Sequence, residues 1–298
     1  MANILFILLL LLIGLGLKRL PAFPKETASV LTSFVIYVSL PALILVQIPK
    51  LPFSEEILIP SLMPWAMLLL SAALVWACSK LFNWNRSITG ALMLLVPLGN
   101  TSFFGIPMVE AFFGEAFIPY ALLYDQVGTF LALATYGSVI IAVYSEGEKA
   151  DLKTIGRKIV TFPPLIALVV AFAFYTTPFP EELIFMLEAL AATLIPLVII
   201  AVGLKMEFQF EKEQLNPMAV GLGIKLVFAP LIALGIIYAL QLKSEPAYVA
   251  VFEAGMPPQI SAWALAMTAG LSPKLGAMMV GFGIIISLVT LPLLFQLF

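Results

Sequence analysis

Long apolar stretches of this chain contain three ionisable side chains that could do chemistry: Asp125, Lys225 and Glu253. A charged group within an apolar span is costly, so it usually serves an ion or substrate pathway. A carboxylate in a medium of low dielectric constant pairs with a cation, binds an ion or keeps its proton. Glu253 therefore has three interpretations: coupling to a cation or proton, a structural hydrogen bond, and direct contact with a substrate.

The roles of the other two charges also stay open. Asp125 lies one helical turn before Thr129, where it could complete an ion site or pair with Lys225. Lys225 could contact a substrate carboxylate, act as counter-ion to Asp125 or Glu253, or extend its amine to the membrane interface.

Neutral polar residues in the apolar stretches of Asp125 and Glu253, and in the stretch before that of Asp125, add oxygen ligands of the kind that hard cations prefer. The sequence therefore suggests a sodium ion, with Glu253 and Gln259 among its ligands, and no other cofactor. The predicted coupling-ion residues are Glu253, Asn100, Thr101, Ser102, Gln259, Asp125 and Thr129.

The residue inventory argues against catalysis. The chain has no histidine and one cysteine, Cys78, which removes Ser-His and Cys-His nucleophiles and histidine-based zinc sites. An intramembrane aspartyl protease needs two aspartates within spans, but Asp151 lies in a polar loop and leaves only Asp125. No GxxxxGK[ST] motif for ATP occurs. We expect neither an enzyme nor a primary pump.

Composition predicts an all-α integral membrane protein. Hydrophobic residues make up 62% of the chain, charged residues 11%, and the mean hydropathy is +1.10. The net charge of −2 gives no reason to expect a nucleic acid partner. Apolar runs of about 20 residues predict ten transmembrane helices. They cover 2–18, 26–47, 57–80, 87–113, 117–143, 159–177, 182–204, 216–240, 246–269 and 274–297.

The fourth and ninth spans should be broken. Proline removes a backbone donor and clashes with the carbonyl four residues earlier, so neither span can run straight. Each break creates a helix amino terminus near the bilayer midplane, which suits an anionic carboxylate. Thr101 and Ser102 are suitable caps for one such terminus, and Pro258 suits the first turn of the other. The predicted break residues are Pro97, Gly99, Gly105, Pro107, Gly255, Pro257 and Pro258.

A sequence offset of 156 residues relates the two halves of the chain. Phe23-Pro24 recurs as Phe179-Pro180, and Gly99 recurs as Gly255, at that offset. A repeat of five spans enters the membrane from the opposite side when it is repeated, and inverted repeats with broken helices are typical of secondary transporters. We therefore expect inverted five-helix repeats at 1–143 and 159–298, joined by a linker at 144–158.

Basic residues predict the orientation. The even-numbered loops contain only Lys50 and Lys243, and Lys225 lies within a span, so the other twelve of the 15 lysines and arginines fall in odd-numbered loops. Cytoplasmic loops carry the excess of basic residues. We expect a plasma membrane protein with both termini outside and the linker in the cytoplasm.

Several segments resemble the auxin efflux carrier family of membrane transporters. They include GNTSFFGIPMVEAFFG at 99–114, the SLPA motif at 39–42, the stretch 226–230, and AGMPPQISAWALAMTAG at 254–270. The resemblance covers essentially the whole chain. It implies two crossing broken helices, a scaffold of spans 1, 2, 6 and 7, a transport domain of spans 3–5 and 8–10, elevator-type alternating access, and a homodimer formed through the scaffold.

The resemblance also implies a substrate class, since members carry organic anions such as indole-3-acetate in plants and proposed malate or malonate in bacteria. By position, Asn100 matches the family's polar residue at the first crossover and Pro258 its proline at the second. We expect an organic anion substrate in a lipid-embedded carrier. The predicted substrate residues are Asn100, Thr101, Ser102, Phe103, Pro257, Pro258, Gln259 and Lys225.

One departure from the family bears on coupling. Many relatives have a small residue at the position of Glu253, whereas Glu253, Gly255 and Gln259 together are similar to a segment of the bile acid–sodium symporters. In that related fold family the glutamate helps to bind sodium. The leading interpretation is a secondary transporter of small organic anions. The alternatives are an anion-selective channel or uniporter, and a sodium symporter for larger amphipathic anions.

Overall fold

A computed structural model of the chain describes residues 2–52, 54–145, 152–177, 179–207 and 210–298. The described ranges are helical and contain no β-strand. The predicted linker falls partly outside them, at 146–151. The helices are α1 (Ala2–Leu17), α2 (Thr27–Lys50), α3 (Glu55–Leu81), α4 (Arg86–Leu95), α5 (Thr101–Phe113), α6 (Glu115–Tyr144), α7 (Leu152–Val160), α8 (Pro163–Ala173), α9 (Glu181–Lys205), α10 (Lys212–Ala239), α11 (Glu245–Ala254), α12 (Ile260–Thr268) and α13 (Pro273–Phe295).

Helix length and composition identify an integral, multi-pass membrane protein. Six of the described helices, α2, α3, α6, α9, α10 and α13, are long and apolar enough to cross a membrane. The pair α7–α8 adds a seventh candidate if its bend of 56° lies within one span. The other predicted spans correspond to α1 and to the interrupted pairs α4–α5 and α11–α12, whose helices are individually short.

Three widened helical turns have a common cause in the sequence. The π-helical segments Val35–Ser39, Thr101–Gly105 and Ile224–Phe228 each end two residues before a proline. The proline ring excludes the carbonyl four residues earlier, which is the middle residue of the segment in each case, so the helix opens to a wider turn. A fourth π-helical segment, Tyr124–Phe130, has Gly128 directly against Pro64 of α3. These turns carry Thr101, Lys225 and Asp125, the residues with candidate chemistry.

The helices pack as two groups. Group one consists of α1, α2, α8 and α9, in which α1 packs on α9 and α2 packs on both α8 and α9. Where α2 meets α9, the hydroxyls of Ser39 and Thr193 are 2.7 Å apart and share a hydrogen bond. Group two consists of α3–α6 and α10–α13, and it contains both interrupted pairs. The groups meet along α5 and α6.

Glycine sets the spacing of α1 and α9. A Cβ atom built on Gly14 would lie 2.9 Å from Cα of Gly203, and one on Gly203 would lie 2.6 Å from the carbonyl oxygen of Leu11. Close approach of backbones at small residues is the usual way in which membrane helices associate. The core of group one therefore depends on these two positions.

We expect Gly14→Val to force α1 and α9 apart and to lower the free energy of unfolding by about 1–3 kcal/mol, the usual cost of overpacking. The measurement is the thermal midpoint of the purified protein in detergent. Gly16→Val is the matched control, because a Cβ at Gly16 meets no atom within 4 Å. Equal midpoints for the two variants would contradict the packing argument.

Candidate functional site

The two interrupted helices pair with each other at their breaks. The peptide N–H of Asn100 donates to the carbonyl oxygen of Pro257 at 2.7 Å, and that of Gln259 donates to the carbonyl of Leu98 at 3.0 Å. These bonds form an isolated antiparallel bridge between Gly99 and Pro258. Freed backbone groups within a membrane must find partners in the protein, and each break supplies the partner of the other. Pro258 therefore lies in the bridge, before α12 begins at Ile260, and the prediction that it occupies the first turn of α12 is wrong.

Asp125 is held at the amino end of α5 by three donors. Its carboxylate accepts hydrogen bonds from the hydroxyls of Thr101 at 2.6 Å and Ser102 at 2.5 Å, and from the side-chain amide of Gln126 at 2.6 Å. The expectation that Thr101 and Ser102 cap α5 is therefore wrong, because their hydroxyls serve Asp125 and Asn100 occupies the cap position. The carboxylate itself offsets the positive end of the helix dipole.

Lys225 lies at the carboxyl end of α11 rather than at a surface. It is 4% exposed, and its amine donates to the carbonyl oxygen of Ala254 at 3.2 Å. Since Ala254 is the last residue of α11, the cation meets the negative end of a helix dipole. The interpretation that this amine extends to the membrane interface is wrong.

Glu253 is fully buried, and neither of its carboxylate oxygens has a hydrogen-bond partner among the described residues. The structural hydrogen bond that the sequence left open for Glu253 is therefore absent from the described part of the chain. Its carboxylate lies against Gly105 of α5, where a Cβ would come within 2.7 Å of Oε1. A fully buried carboxylate with no donor needs a counter-charge or a proton.

Three cavities surround these groups. The crossover cavity, about 110 Å³, is lined by Ile36, Leu40, Asn100, Ser102, Phe103, Asp125, Phe130, Leu133, Phe162, Gln259 and Ser261. The lysine cavity, about 10 Å³, is lined by Pro64, Leu68, Pro97, Leu98, Gly99, Thr101, Tyr124, Thr129, Ala132, Lys225 and Glu253. A third cavity of about 690 Å³ lies between α1, α2 and α9 on one side and α5 and α6 on the other, with Glu110, Glu115 and Glu188 in its wall.

The structure divides the predicted substrate residues. Asn100, Ser102, Phe103 and Gln259 line the crossover cavity, and Lys225 lines the lysine cavity instead. The prolines of the second break are occupied in the bridge, where Pro258 also packs against Gly283 of α13.

The predicted ion ligands divide in the same way. Asn100, Ser102, Asp125 and Gln259 border the crossover cavity, whereas Thr101, Thr129 and Glu253 border the lysine cavity. The structure therefore does not bring Glu253 and Gln259, the predicted sodium ligands, to one cavity. Across the described ranges, no group of three or more His, Cys, Asp or Glu side chains is placed to hold a metal ion.

Some residues of the site escape sequence reasoning. The aromatic rings of Phe130 and Phe162 stack with centroids 3.8 Å apart and form an apolar wall of the crossover cavity. They come from α6 and from the residue before α8, and no spacing in the sequence relates them. Gln126 is a second such residue, because its side-chain amide donates to Asp125.

We expect Asp125→Ala and Ser102→Ala to be strongly non-additive in their effect on stability. The first change leaves the donors of Thr101, Ser102 and Gln126 without this acceptor, at a cost of about 1–3 kcal/mol for each buried one. The double variant leaves one donor fewer without an acceptor. Its loss of unfolding free energy should therefore be smaller than the sum of the two single losses by about 1 kcal/mol or more. Thermal midpoints in detergent for the four members of the cycle measure this. Additive losses would mean that the hydroxyl and the carboxylate are not coupled.

Comparison with known proteins agrees with this picture of the chain. The model of the membrane transport protein family matches residues 1–295. An uncharacterized transporter of Methanothermobacter thermautotrophicus is 30% identical over 300 residues, which cover 98% of this chain and 96% of that protein. An uncharacterized transporter of Methanocaldococcus jannaschii is 26% identical, over 85% of this chain and 84% of that protein. The family resemblance drawn from the sequence is confirmed, whereas the similarity to the bile acid–sodium symporters stays a prediction. The chain belongs to the membrane transport protein family, the family of the auxin efflux carriers.

Proposed function

We propose that this protein is a secondary transporter of small organic anions and that it binds a substrate carboxylate in the crossover cavity. The observation that carries the proposal is the side-chain amide nitrogen of Asn100. This nitrogen is a hydrogen-bond donor, it is buried beside the crossover cavity, and it has no hydrogen-bond partner among the described residues. A buried donor without an acceptor is costly, so it calls for an acceptor from a ligand.

The amino end of α12 adds to this site. Its first N–H groups have no partner within the helix, and the dipole gives this end about half a positive charge. Gln259, at the cap position, and Ser261, in the first turn, border the cavity with Asn100. The amino end of α5 is already served by Asp125, so the amino end of α12 is the one left for a substrate anion.

Cavity size favours a small substrate. A volume of about 110 Å³ is well below the 300–1,000 Å³ of pockets for drug-sized ligands. A compact carboxylate of a few carbon atoms suits it better than an auxin-like aromatic acid or a larger amphipathic anion. The stacked pair Phe130 and Phe162, with Phe103, provides apolar contact for a short carbon chain.

The architecture supports alternating access by an elevator movement. Ten spans in two inverted repeats would assign α1, α2, α8 and α9 to a scaffold and the remaining helices, apart from the linker helix α7, to a transport domain. The offset of 156 residues relates α1 to α8 and α2 to α9, and the contact of α1 with α9 has its counterpart in that of α8 with α2. The crossover cavity and the 690 Å³ cavity both lie between the two groups, where a sliding movement would open them.

The remaining parts of the proposal come from the sequence. The excess of basic residues in the odd-numbered loops supports a plasma membrane protein with outside termini and a cytoplasmic linker. A homodimer through the scaffold follows from the family resemblance. An anion channel is the second candidate; it would show conductance without saturation or counterflow.

We expect Asn100→Ala to lower counterflow of small carboxylates in proteoliposomes by about 10- to 100-fold, because a hydrogen bond to a charged group is worth about 1.5–3 kcal/mol. Radiolabelled mono- and dicarboxylates of two to five carbon atoms are the probes. Membrane insertion and thermal midpoint are measured on the same preparations.

Asn85→Ala is the matched control. Asn85 is also an asparagine at a helix start, just before the fourth predicted span, but its side chain caps α4 by accepting from the N–H of Ile88 at 2.9 Å. The Asn85→Ala variant should lose about 1 kcal/mol of unfolding free energy and should keep the wild-type rate of counterflow. Unchanged transport by a folded Asn100→Ala protein would refute the crossover site.

Competition tests the size argument separately. We expect excess unlabelled carboxylates of two to five carbon atoms to inhibit uptake at least tenfold more strongly than indole-3-acetate at equal concentration, because the cavity admits the smaller acids. Equal inhibition by indole-3-acetate would assign the carrier to larger anions.

A further inference from the structure

Lys225 and Glu253 are buried charges that the proposed substrate site does not use. They come from α10 and α11 and line one cavity of about 10 Å³, with room for about a single water molecule. Asp125 lies nearby on α6, but its carboxylate already has three donors. Tyr124 and Thr129 also line this cavity.

The amine of Lys225 lies against the backbone of both helix breaks. It donates to the carbonyl oxygen of Ala254 at the end of α11, at 3.2 Å. It also lies so close to the first break that a Cβ on Gly99 would come within 3.0 Å of Nζ. An ammonium group has three donors, and the bond to Ala254 uses one of them.

The carboxylate of Glu253 is fitted to α5 in a similar way. Both oxygens are buried without a hydrogen-bond donor among the described residues, and Gly105 leaves the space that they occupy. Two opposite charges thus border one small cavity, and each lacks another compensating charge on the described residues that line it. They do not form a direct ion pair, which would require an N···O distance of 4.0 Å or less.

A metal cation would have to share this space with an ammonium group. Two positive charges about 4 Å apart, at the effective dielectric constant of protein sites, repel strongly enough to weaken sodium binding by about a thousandfold. The carbonyl of Ala254, one of the oxygens that a sodium ion would need, is already bonded to Lys225.

We propose that the ammonium group of Lys225 is a built-in counter-cation that takes the place of a coupling sodium ion beside Glu253 and at the carboxyl end of α11. Transport should therefore be independent of sodium, a consequence that rests on the proposed function. The role of Lys225 as counter-cation does not rest on the proposed function, because it can be tested by thermal stability in the absence of any substrate.

The experiment is a thermal-stability titration of the purified full chain in detergent, with sodium chloride replacing choline chloride at constant ionic strength. The wild type should show no sodium-specific shift. Lys225→Ala should be destabilised and should then gain about 5 °C at a hundredfold excess of sodium over its Kd, since the vacated space and the free carboxylate accept a small cation. Methylammonium chloride should act likewise, and choline should not.

Three further variants make the test specific. Lys225→Met fills the space and should be destabilised without regaining stability from any cation. Lys225→Ala with Glu253→Gln should lose the sodium shift and should be more stable than Lys225→Ala in choline, because no uncompensated charge stays buried. Lys18→Ala is the matched control: Lys18 also donates to a backbone carbonyl, that of Met206 at 2.7 Å, but outside the cavity, and its loss should create no sodium response.

A sodium-specific shift in the wild type that Glu253→Gln abolishes would overturn the proposal, as would a folded Lys225→Ala protein that responds to no small cation. If Lys225→Ala does not fold, the double variant decides: recovery of folded protein supports the counter-charge, and continued failure overturns it. A carrier that transports no carboxylate but passes these tests would refute only the proposed function.

Discussion

The pairing of the two helix breaks is the constraint on which the rest of the structure depends. Pro97 and the Pro257-Pro258 pair prevent continuous helices in spans that must hide their backbone from lipid. The hydrogen bonds from Asn100 to Pro257 and from Gln259 to Leu98 satisfy each break with the other. Neither interrupted helix could keep its position without its partner, so the breaks fix the orientation of four helix ends.

Those helix ends determine where charge is tolerated. Asp125 meets the positive end of α5, and Lys225 meets the negative end of α11. Each pairing of a charge with a helix end is worth up to about 2 kcal/mol in a partly buried setting. Asp125 is the charged residue in the lining of the crossover cavity and it serves α5, so under the proposed function the amino end of α12 would receive a negative charge from outside the chain.

Under the proposed function, the same arrangement would link substrate binding to movement of the two groups. The crossover cavity has one wall from group two and another from α2 and the residue before α8, and glycines allow α1 and α9 to pack as a close unit. Ser39 and Thr193 join α2 to α9 within that unit. A ligand bound there, as proposed, would touch both groups, so its affinity would depend on their relative position, which is the condition for coupling binding to a conformational change.

The sequence by itself determined the membrane environment, the family and the location of the breaks. These properties are local: apolar run length gives the spans, and proline stops a helix wherever it stands. Prolines at 41, 107 and 230 also mark the widened turns, because each excludes the carbonyl four residues earlier. The separation of group one from group two was readable only through the family resemblance.

Only the tertiary structure decided the partners of the polar side chains. Thr101 and Ser102 carry the right atoms for a helix cap, but both lie within α5, after the cap residue Asn100. Their hydroxyls donate instead to Asp125, which lies 24 residues after Thr101 in the chain. Lys225 could reach an interface or a helix end, and burial against Ala254 selected the helix end. A hydrogen bond forms only at short distance, so the partner of a polar side chain depends on which distant residues the packing brings next to it. The sequence allows several partners for each side chain, and the packing selects one.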